Sequence, residues 1–137
     1  MKKRGVPRPT DAELEILNVL WQRGAATVRE VHDELSARKA TLYTTVLKML
    51  QIMTEKGLVE RDESQRAHLY RPAVARDETQ RQLLNDLLAR AFDGSATKLV
   101  MQALSGSEAS AEELTEIRAM LDDFERGRAG GHKGGEK

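Results

Sequence analysis

The stretch that decides the fold is residues 27–72, TVREVHDELSARKATLYTTVLKMLQIMTEKGLVERDESQRAHLYRP. It opens with Thr27 and, three residues on, Glu30, a capping box that predicts the start of a short helix. A polar turn over residues 36–40 follows, and then a longer apolar repeat that ends at Gly57. This order predicts two short helices joined by a turn.

Each of these helices carries one apolar face. In the first, the apolar residues recur at three- and four-residue spacing: Val28, Val31 and Leu35. In the second, the spacing of 3.6 residues selects a set that is predicted to face the core: Leu42, Val46, Met49, Leu50 and Met53. Both helices are therefore expected to pack on a shared core.

The period then changes from that of a helix to that of a strand. Residues 58–62 and 67–72 are predicted to pair as a hairpin around the turn at residues 63–66. Two short helices followed by a hairpin are the elements of a winged helix-turn-helix, which places one helix in a DNA major groove and the wing on the neighbouring backbone. The predicted fold class is mostly α with a small β-hairpin wing.

A further helix precedes this stretch. Its capping box begins at Thr10, its end is marked by Gly24, and its apolar stripe comprises Leu14, Leu17, Leu20 and Trp21. The winged domain is thus predicted over residues 10–75. Residues 1–9 are predicted to be a flexible basic arm, which either reaches the DNA or is simply solvated.

Three more helices are predicted over residues 76–126, separated by breaks at residues 93–95 and 105–107 and capped at Ser95 and Ser110. Three helices in about fifty residues cannot close a core of their own, so a dimerisation domain is expected. The predicted interface residues are Leu83, Leu87, Leu99, Leu114, Ile117, Leu121 and Phe124. The alternative is a monomer in which these helices fold back on the winged domain. Residues 127–137 are glycine-rich and predicted to be disordered.

The net charge of zero over 137 residues hides an uneven distribution. Residues 1–75 carry a net +3, residues 76–126 a net −5 and residues 127–137 a net +2. A basic front half suits a domain that faces DNA, although chance sorting of surface charge would give a similar difference. The chain has no cysteine and no apolar stretch long enough for a signal peptide or a membrane anchor, so a cytoplasmic protein is expected.

The face of the third helix opposite the core is polar apart from Ile52. Short hydroxyls, an amide and a cation suit the floor of a groove, because threonine and glutamine pair with base edges and lysine reaches guanine or phosphate. The predicted DNA-binding residues of this region are Thr41, Tyr43, Thr44, Thr45, Lys48 and Gln51, and those of the wing are Arg61, Arg66 and Arg71. The alternative is an ordinary solvated helix face.

The sequence pattern does not support a metal site or a catalytic site. His32, His68 and His132 lack the spacing of a zinc site, and the acidic residues around Asp122 resemble a solvated surface. No nucleophile, base and orienting group occur together, so an enzyme is not expected. We therefore predict no catalytic residues, no metal and no cofactor.

The chain resembles the penicillinase-repressor family (BlaI/MecI/CopY type) over about residues 10–125. The most similar strings are DAELEILNVLW, TTVLKMLQIMTEKGLVERD, HLYRP, FDGSATKLVMQAL and SAEELTEIRAMLDDF. The resemblance implies a homodimeric transcriptional repressor that binds a dyad operator, with TACA/TGTA-like half-sites in the best-known branch, upstream of β-lactamase or stress-response genes. Ile52 stands where the family pattern usually has arginine, and Lys48 where threonine is common.

The resemblance also implies a route of release. In the resistance branch a membrane sensor-protease pathway cleaves an asparagine–phenylalanine bond in the fifth helix, and the matching positions here are Gln102 and Ala103. The copper-responsive branch uses a cysteine-rich tail, which this cysteine-free chain lacks. No small-molecule ligand is expected, because the winged domain is small enough to need its apolar residues for its own core. The rival hypothesis is a protein-interaction module on a winged-helix scaffold without specific DNA binding.

Overall fold

The structure, a computed structural model, describes residues 7–106 and 109–135, and the side chains of residues 128–135 lie outside that description. The described elements are α1 (Asp11–Arg23), α2 (Val28–Ser36), α3 (Tyr43–Lys56), β1 (Val59–Asp62), β2 (Leu69–Pro72), α4 (Arg76–Ala91), α5 (Ala96–Gly106) and α6 (Ala111–Gly135). The fold is mostly helical with one antiparallel hairpin, as the sequence predicts.

The first two helices begin at the predicted capping boxes. The Thr10 hydroxyl accepts a hydrogen bond from the Glu13 backbone N–H at 3.2 Å, and the Glu13 carboxylate accepts one from the Thr10 N–H at 2.9 Å. Thr27 and Glu30 form the same reciprocal pair at 3.1 and 2.9 Å. These bonds satisfy backbone donors that a helix start otherwise leaves without partners.

The core of the winged domain lies where α1, α2, α3 and the hairpin meet. Its buried apolar residues are Ile16, Leu17, Val19, Leu20, Ala26, Val28, Val31, Leu35, Val46, Leu50, Met53, Leu58, Val59 and Tyr70. Leu14 is half-buried, and Trp21 packs against the core from its edge while its indole N–H donates to the Val74 carbonyl at 3.0 Å. The sequence pattern therefore located the correct face of α1 but not all of its buried positions.

The prediction that Leu42 faces the core is wrong. Its backbone is extended, with φ −83° and ψ 140°, because Leu42 is the N-cap of α3 and not a residue of the helix. The helical periodicity that places Val46 and Leu50 inside does not extend to a residue outside the helix. The Leu42 side chain is 71% exposed as a result.

The sheet contains more pairing than the hairpin alone. β1 and β2 pair antiparallel with Glu60 opposite Arg71 and Arg61 opposite Tyr70. Ala26, between α1 and α2, bridges the other edge of β2, donating to the Tyr70 carbonyl at 2.9 Å and accepting from its N–H at 2.8 Å. This third strand position ties the wing to the helices, and the sequence pattern did not indicate it.

The hairpin loop is longer than predicted. β2 begins at Leu69, so the loop runs over residues 63–68 in place of the predicted turn at residues 63–66. The Asp62 carboxylate accepts the Ser64 backbone N–H at 2.9 Å, and such an Asx turn directs the chain away from the ladder.

The chain before α1 and the start of α4 both belong to the winged domain. Residues 1–6 of the predicted flexible arm lie outside the described residues, but Pro9 is buried and Arg8 lies 3.5 Å from Asp86. Thr79 of α4 is fully buried. The compact unit accordingly extends through Leu87, so the predicted boundary at residues 75/76 falls too early, because the first half of α4 packs with the winged domain.

The second compact unit comprises residues from Leu88 onward. Ser95 and Ser110 cap α5 and α6 by accepting the N–H groups of Lys98 and Glu113 at 3.1 and 3.0 Å, as predicted. Residues 127–135 continue α6, in place of the predicted disordered tail. Extending a helix that is already formed fixes one residue per added hydrogen bond, which costs less than nucleating a new one.

Candidate nucleic-acid interface

α3 presents a polar face to solvent. Val46, Leu50 and Met53 are fully buried on one side of the helix. The predicted groove-facing residues on the other side are exposed: Thr44, Thr45, Lys48 and Gln51. This arrangement supplies hydroxyl, amide and ammonium groups along about 10 Å of helix, because residues 44 and 51 are seven steps of about 1.5 Å apart.

Thr41 differs from the other predicted groove-facing residues. It precedes the N-cap of α3 and is half-buried, and its hydroxyl donates to the Lys39 carbonyl at 2.8 Å. Its carbonyl accepts from the His32 ring Nε2 at 2.9 Å and from the Ser36 hydroxyl at 3.4 Å. The prediction that Thr41 lies on the face of the helix is therefore wrong, since it lies in the turn that α2 holds.

Tyr43 at the start of α3 is held by two residues of α2. The Arg29 guanidinium lies 4.8 Å from the centre of its ring, and the His32 ring meets it edge-on at 5.9 Å. A guanidinium on an aromatic face is attractive. Arg29 thereby joins the α3 surface as a cation that the sequence did not identify, because a contact between residues 14 positions apart leaves no local pattern.

The wing arginines are not equivalent. Arg61 lies 2.7 Å from the Glu63 carboxylate, and hydrogen bonding to Tyr70 and the charge of Glu63 raise the pKa of Arg61. Arg71 lies 3.4 Å from Asp62. The backbone and side chain of Ser64 lower the pKa of Asp62, and Arg71 lowers it further. Each of these two arginines already has part of its charge neutralised by a carboxylate, which weakens its attraction for a phosphate.

Arg66 and Lys48 differ from them because neither has an ion-pair partner among the described residues. Arg66 lies at the mouth of a cleft of ≈ 270 Å³ between the wing and the starts of α2 and α3. The cleft is lined by Thr27, Val28, Arg29, Tyr43, Leu47, Arg66, Ala67, His68 and Tyr70. It holds two guanidinium groups and no carboxylate, which suits a polyanion.

A second groove, of ≈ 310 Å³, lies between α1 and the α2–α3 turn. Ile16, Leu35 and Met49 line its apolar side, and Glu15 and Lys39 lie on it as well. Its volume falls at the lower end of the range for small-ligand sites. The absence of a small-molecule ligand stays a prediction.

The apolar residues that were predicted to form a dimer interface are exposed or half-buried; Leu83 and Leu87 belong to the first compact unit and the other five to the second. Leu114, Leu121 and Phe124 of α6 are 40%, 62% and 68% exposed. Leu87 is also exposed, and Leu83, Leu99 and Ile117 are half-buried. Among the described residues from Leu88 onward no side chain is fully buried. Gln102 and Ala103, the predicted cleavage region, are both exposed on α5.

The described part of the chain offers little to other kinds of site. No group of three histidine, cysteine, aspartate or glutamate residues could hold a metal ion within the described part of the chain. His132 lies where side chains are not described. No described helix is long and apolar enough to cross a membrane.

The three helices, the hairpin wing and the exposed polar face of α3 together define a winged helix-turn-helix protein. The profile of the penicillinase-repressor family matches residues 9–123. The chain belongs to this family, as the sequence resemblance implied. Membership places it among transcriptional repressors and confirms the prediction that it is not an enzyme.

Several characterised proteins are similar to this chain. The transcriptional regulator BlaI of Mycobacterium tuberculosis is 36% identical over 118 residues, covering 85% of each chain. The penicillinase repressor of Bacillus licheniformis is 28% identical over 123 residues, covering 90% of this chain and 94% of the relative. The methicillin resistance regulatory protein MecI of Staphylococcus aureus is 20% identical over 113 residues, covering 82% and 92%.

Solved structures are also similar in part. The solution structure of the DNA-binding domain of the repressor BlaI is 31% identical with a TM-score of 0.49, covering 57% of this chain and 93% of that one. The Bacillus licheniformis BlaI monomer in complex with the blaP half-operator is 28% identical with a TM-score of 0.48, covering 54% and 90%.

Proposed function

We propose that this protein is a homodimeric repressor that binds a dyad operator with α3 in the major groove and the wing on the backbone. The observation that carries the proposal is the exposed face of α3, where Thr44, Thr45, Lys48 and Gln51 stand opposite a fully buried apolar side. The family supports DNA binding because its members are repressors, and repression by a winged helix-turn-helix acts through an operator.

The contacts divide into two kinds. Thr44, Thr45, Lys48 and Gln51 lie where they would meet base edges, so they determine sequence preference. Tyr43, Arg66 and Arg29 line the cleft beside the wing, where a phosphate would lie. Arg61 and Arg71 are secondary phosphate ligands, because each already pairs with a carboxylate.

Dimerisation is the task of the second unit in this proposal. The apolar side chains of α6 that are exposed in one chain, Leu114, Leu121 and Phe124, would be buried against a second copy. Exposed apolar patches of this kind mark interaction sites. Two linked winged domains bind two half-sites as one event, which raises affinity without new contacts.

The names of two relatives support a proposal for the regulated genes. One is named for penicillinase and the other for methicillin resistance, so we propose operators upstream of β-lactamase-type or stress-response genes. Release would act through the second unit, by a sensor-protease pathway that cuts near Gln102 and Ala103 or in the break after Gly106. A cut there removes the linkage between winged domains and leaves the base contacts unchanged.

Two substitutions test the DNA assignment on the full chain. The protein first selects duplexes from a genomic pool, and binding to a selected duplex is then measured across a salt series. Lys48→Ala should cost about 1–3 kcal/mol and change sequence preference, whereas Arg66→Ala should weaken all sequences alike and flatten the salt slope by about one. Glu60→Ala, on the same hairpin but acidic, is the matched control and should not weaken binding.

If neither Lys48→Ala nor Arg66→Ala altered affinity, α3 and the wing would not be the DNA-binding surface. The rival hypothesis, a protein-interaction module on the same scaffold, predicts that the wild-type chain shows no salt-dependent duplex binding at all.

A further inference from the structure

Exposed large apolar side chains of the winged unit lie at the start and middle of α3 and, at the end of the unit, in α4, where Leu84 and Leu87 are exposed. Between Pro7 and Leu83 they are Leu42, Tyr43 and Ile52, all on α3 or its N-cap. Leu42 is the most exposed of them at 71%. The core of the domain is otherwise closed around α3, whose buried side chains have no accessible surface.

Leu42 is also an unusual residue for its position. Helix N-caps favour serine, threonine, aspartate and asparagine, whose side chains accept a backbone N–H. α1 and α2 are capped in this way by Thr10 and Thr27, whereas no side-chain hydrogen bond caps α3. α3 therefore begins without a side-chain cap, and an exposed leucine occupies its N-cap position.

Leu42 lies at the start of α3, where its side chain lines the groove beside α1 together with Thr45, one of the predicted base-reading residues. In helix-turn-helix proteins the first residues of the recognition helix meet the base edges. Leu42 immediately precedes Tyr43 and Thr44, and the turn that carries it is held to α2 through the His32 contact with the Thr41 carbonyl. The major-groove edge of thymine carries a 5-methyl group, which apolar side chains recognise.

We infer that Leu42 is a specificity-determining residue that reads a thymine 5-methyl group in each half-site. The inference rests on the proposed DNA-binding function and adds a base preference to it. Contact with a methyl group buries the leucine surface that is otherwise left in water. An N-cap serine would stabilise the helix but could not make this contact.

The test uses the full chain and a duplex that it has selected. Each thymine of a half-site is replaced in turn by deoxyuridine, which keeps the base pair and removes only the 5-methyl group. Wild-type protein should lose about threefold to tenfold in affinity at one thymine. Leu42→Ala should bind the thymine duplex with an affinity reduced by a similar factor. Replacing that thymine with deoxyuridine should not reduce the affinity of Leu42→Ala any further. Ile52→Ala, an aliphatic truncation ten positions further along, is the matched control. Its affinity should still fall when the same thymine is replaced by deoxyuridine.

Two more variants separate contact from helix stability. Leu42→Met should retain affinity, whereas Leu42→Ser should raise the Tm through better capping and still lower the affinity. Equal losses for Leu42→Ala on both duplexes, or unchanged affinity for Leu42→Ser, would overturn the inference. A change in sedimentation for Leu42→Ala would overturn it in favour of a contact between copies. Failure of the wild-type chain to bind any selected duplex is a different result, since it removes the proposed function itself.

Discussion

Glu13 is a buried charged residue of the winged domain. Its side chain is 7% exposed and lies 2.7 Å from the Lys56 ammonium, which joins the start of α1 to the end of α3. Burial raises the pKa of Glu13, but hydrogen bonds from Lys56 and from the Thr10 backbone N–H, together with the charge of Lys56, outweigh burial and leave the pKa below its usual value. The folded state therefore favours the carboxylate.

This shift predicts the pH dependence of stability. A pKa that is lower in the folded state contributes stability above the unfolded value, and this contribution is lost as the pH falls through the folded value. Glu13→Gln should cost about 1–3 kcal/mol near pH 7, and the difference from wild type should shrink in acid. Urea unfolding at a series of pH values measures this. Glu15→Gln, an exposed glutamate on the same helix, is the control, and a pH-independent difference for Glu13→Gln would contradict the prediction.

His32 shows how one residue sets the geometry of another. Its ring contacts the Thr41 carbonyl at 2.9 Å, the Ser36 hydroxyl at 3.2 Å and the Asp33 carboxylate at 3.1 Å. It thereby fixes the turn from which α3 begins.

At the scale of elements, the end of α3 depends on one glycine. Gly57 has φ +84° and ψ 14°, the left-handed conformation of a helix C-cap, and its N–H bonds to the carbonyls of Met53 and Thr54. A side chain at this φ is strained whatever the space around it. The glycine allows the chain to turn directly from the recognition helix into the wing.

Gly57→Ala should therefore destabilise the winged domain by about 1–2 kcal/mol. Gly127→Ala is the matched control, because Gly127 lies inside α6 with nothing within 4 Å of an added Cβ. Alanine should be neutral or stabilising there by about 0.5–1 kcal/mol. Thermal unfolding measures both changes, and a loss of equal size in the two variants would count against the special role of Gly57.

The hairpin depends on pairing beyond its own two strands. An isolated two-stranded hairpin is marginally stable in water. Here Ala26 pairs with Tyr70, whose ring is buried in the core. The wing is consequently held on the helices, and the cleft between Arg29 and Arg66 keeps its shape.

At the scale of the whole molecule, the proposed dimer should determine how tightly the protein binds its operator. Ile117→Asp or Leu121→Asp should give monomers that lose tight operator binding while the winged domain stays folded, because a charge in a dry seam is costly. Ala119→Asp adds the same charge on the opposite side of α6 and is the matched control. Sedimentation velocity and operator binding measure both effects. A stable Leu121→Asp dimer with wild-type affinity would place the interface elsewhere.

Local patterns were sufficient for much of this protein. The capping boxes at Thr10 and Thr27, the glycine at 57 and the change of period after it predicted the winged helix-turn-helix, because caps and periodicity act over three or four residues. The polar face of α3 follows from the same periodicity, and its DNA-binding residues stay predictions. The strings shared with the penicillinase repressors identified the family, which the match over residues 9–123 confirms.

Other features were decided only by the tertiary structure. The sequence could not show that Leu42 lies outside the helix, that Arg29 covers Tyr43, or that Ala26 pairs with Tyr70. Nor could it show that α4 belongs in part to the winged domain. Each of these features depends on contacts between residues far apart in the chain or on where a helix actually begins. Such contacts form when elements pack together, and periodicity within one element carries no information about its neighbour.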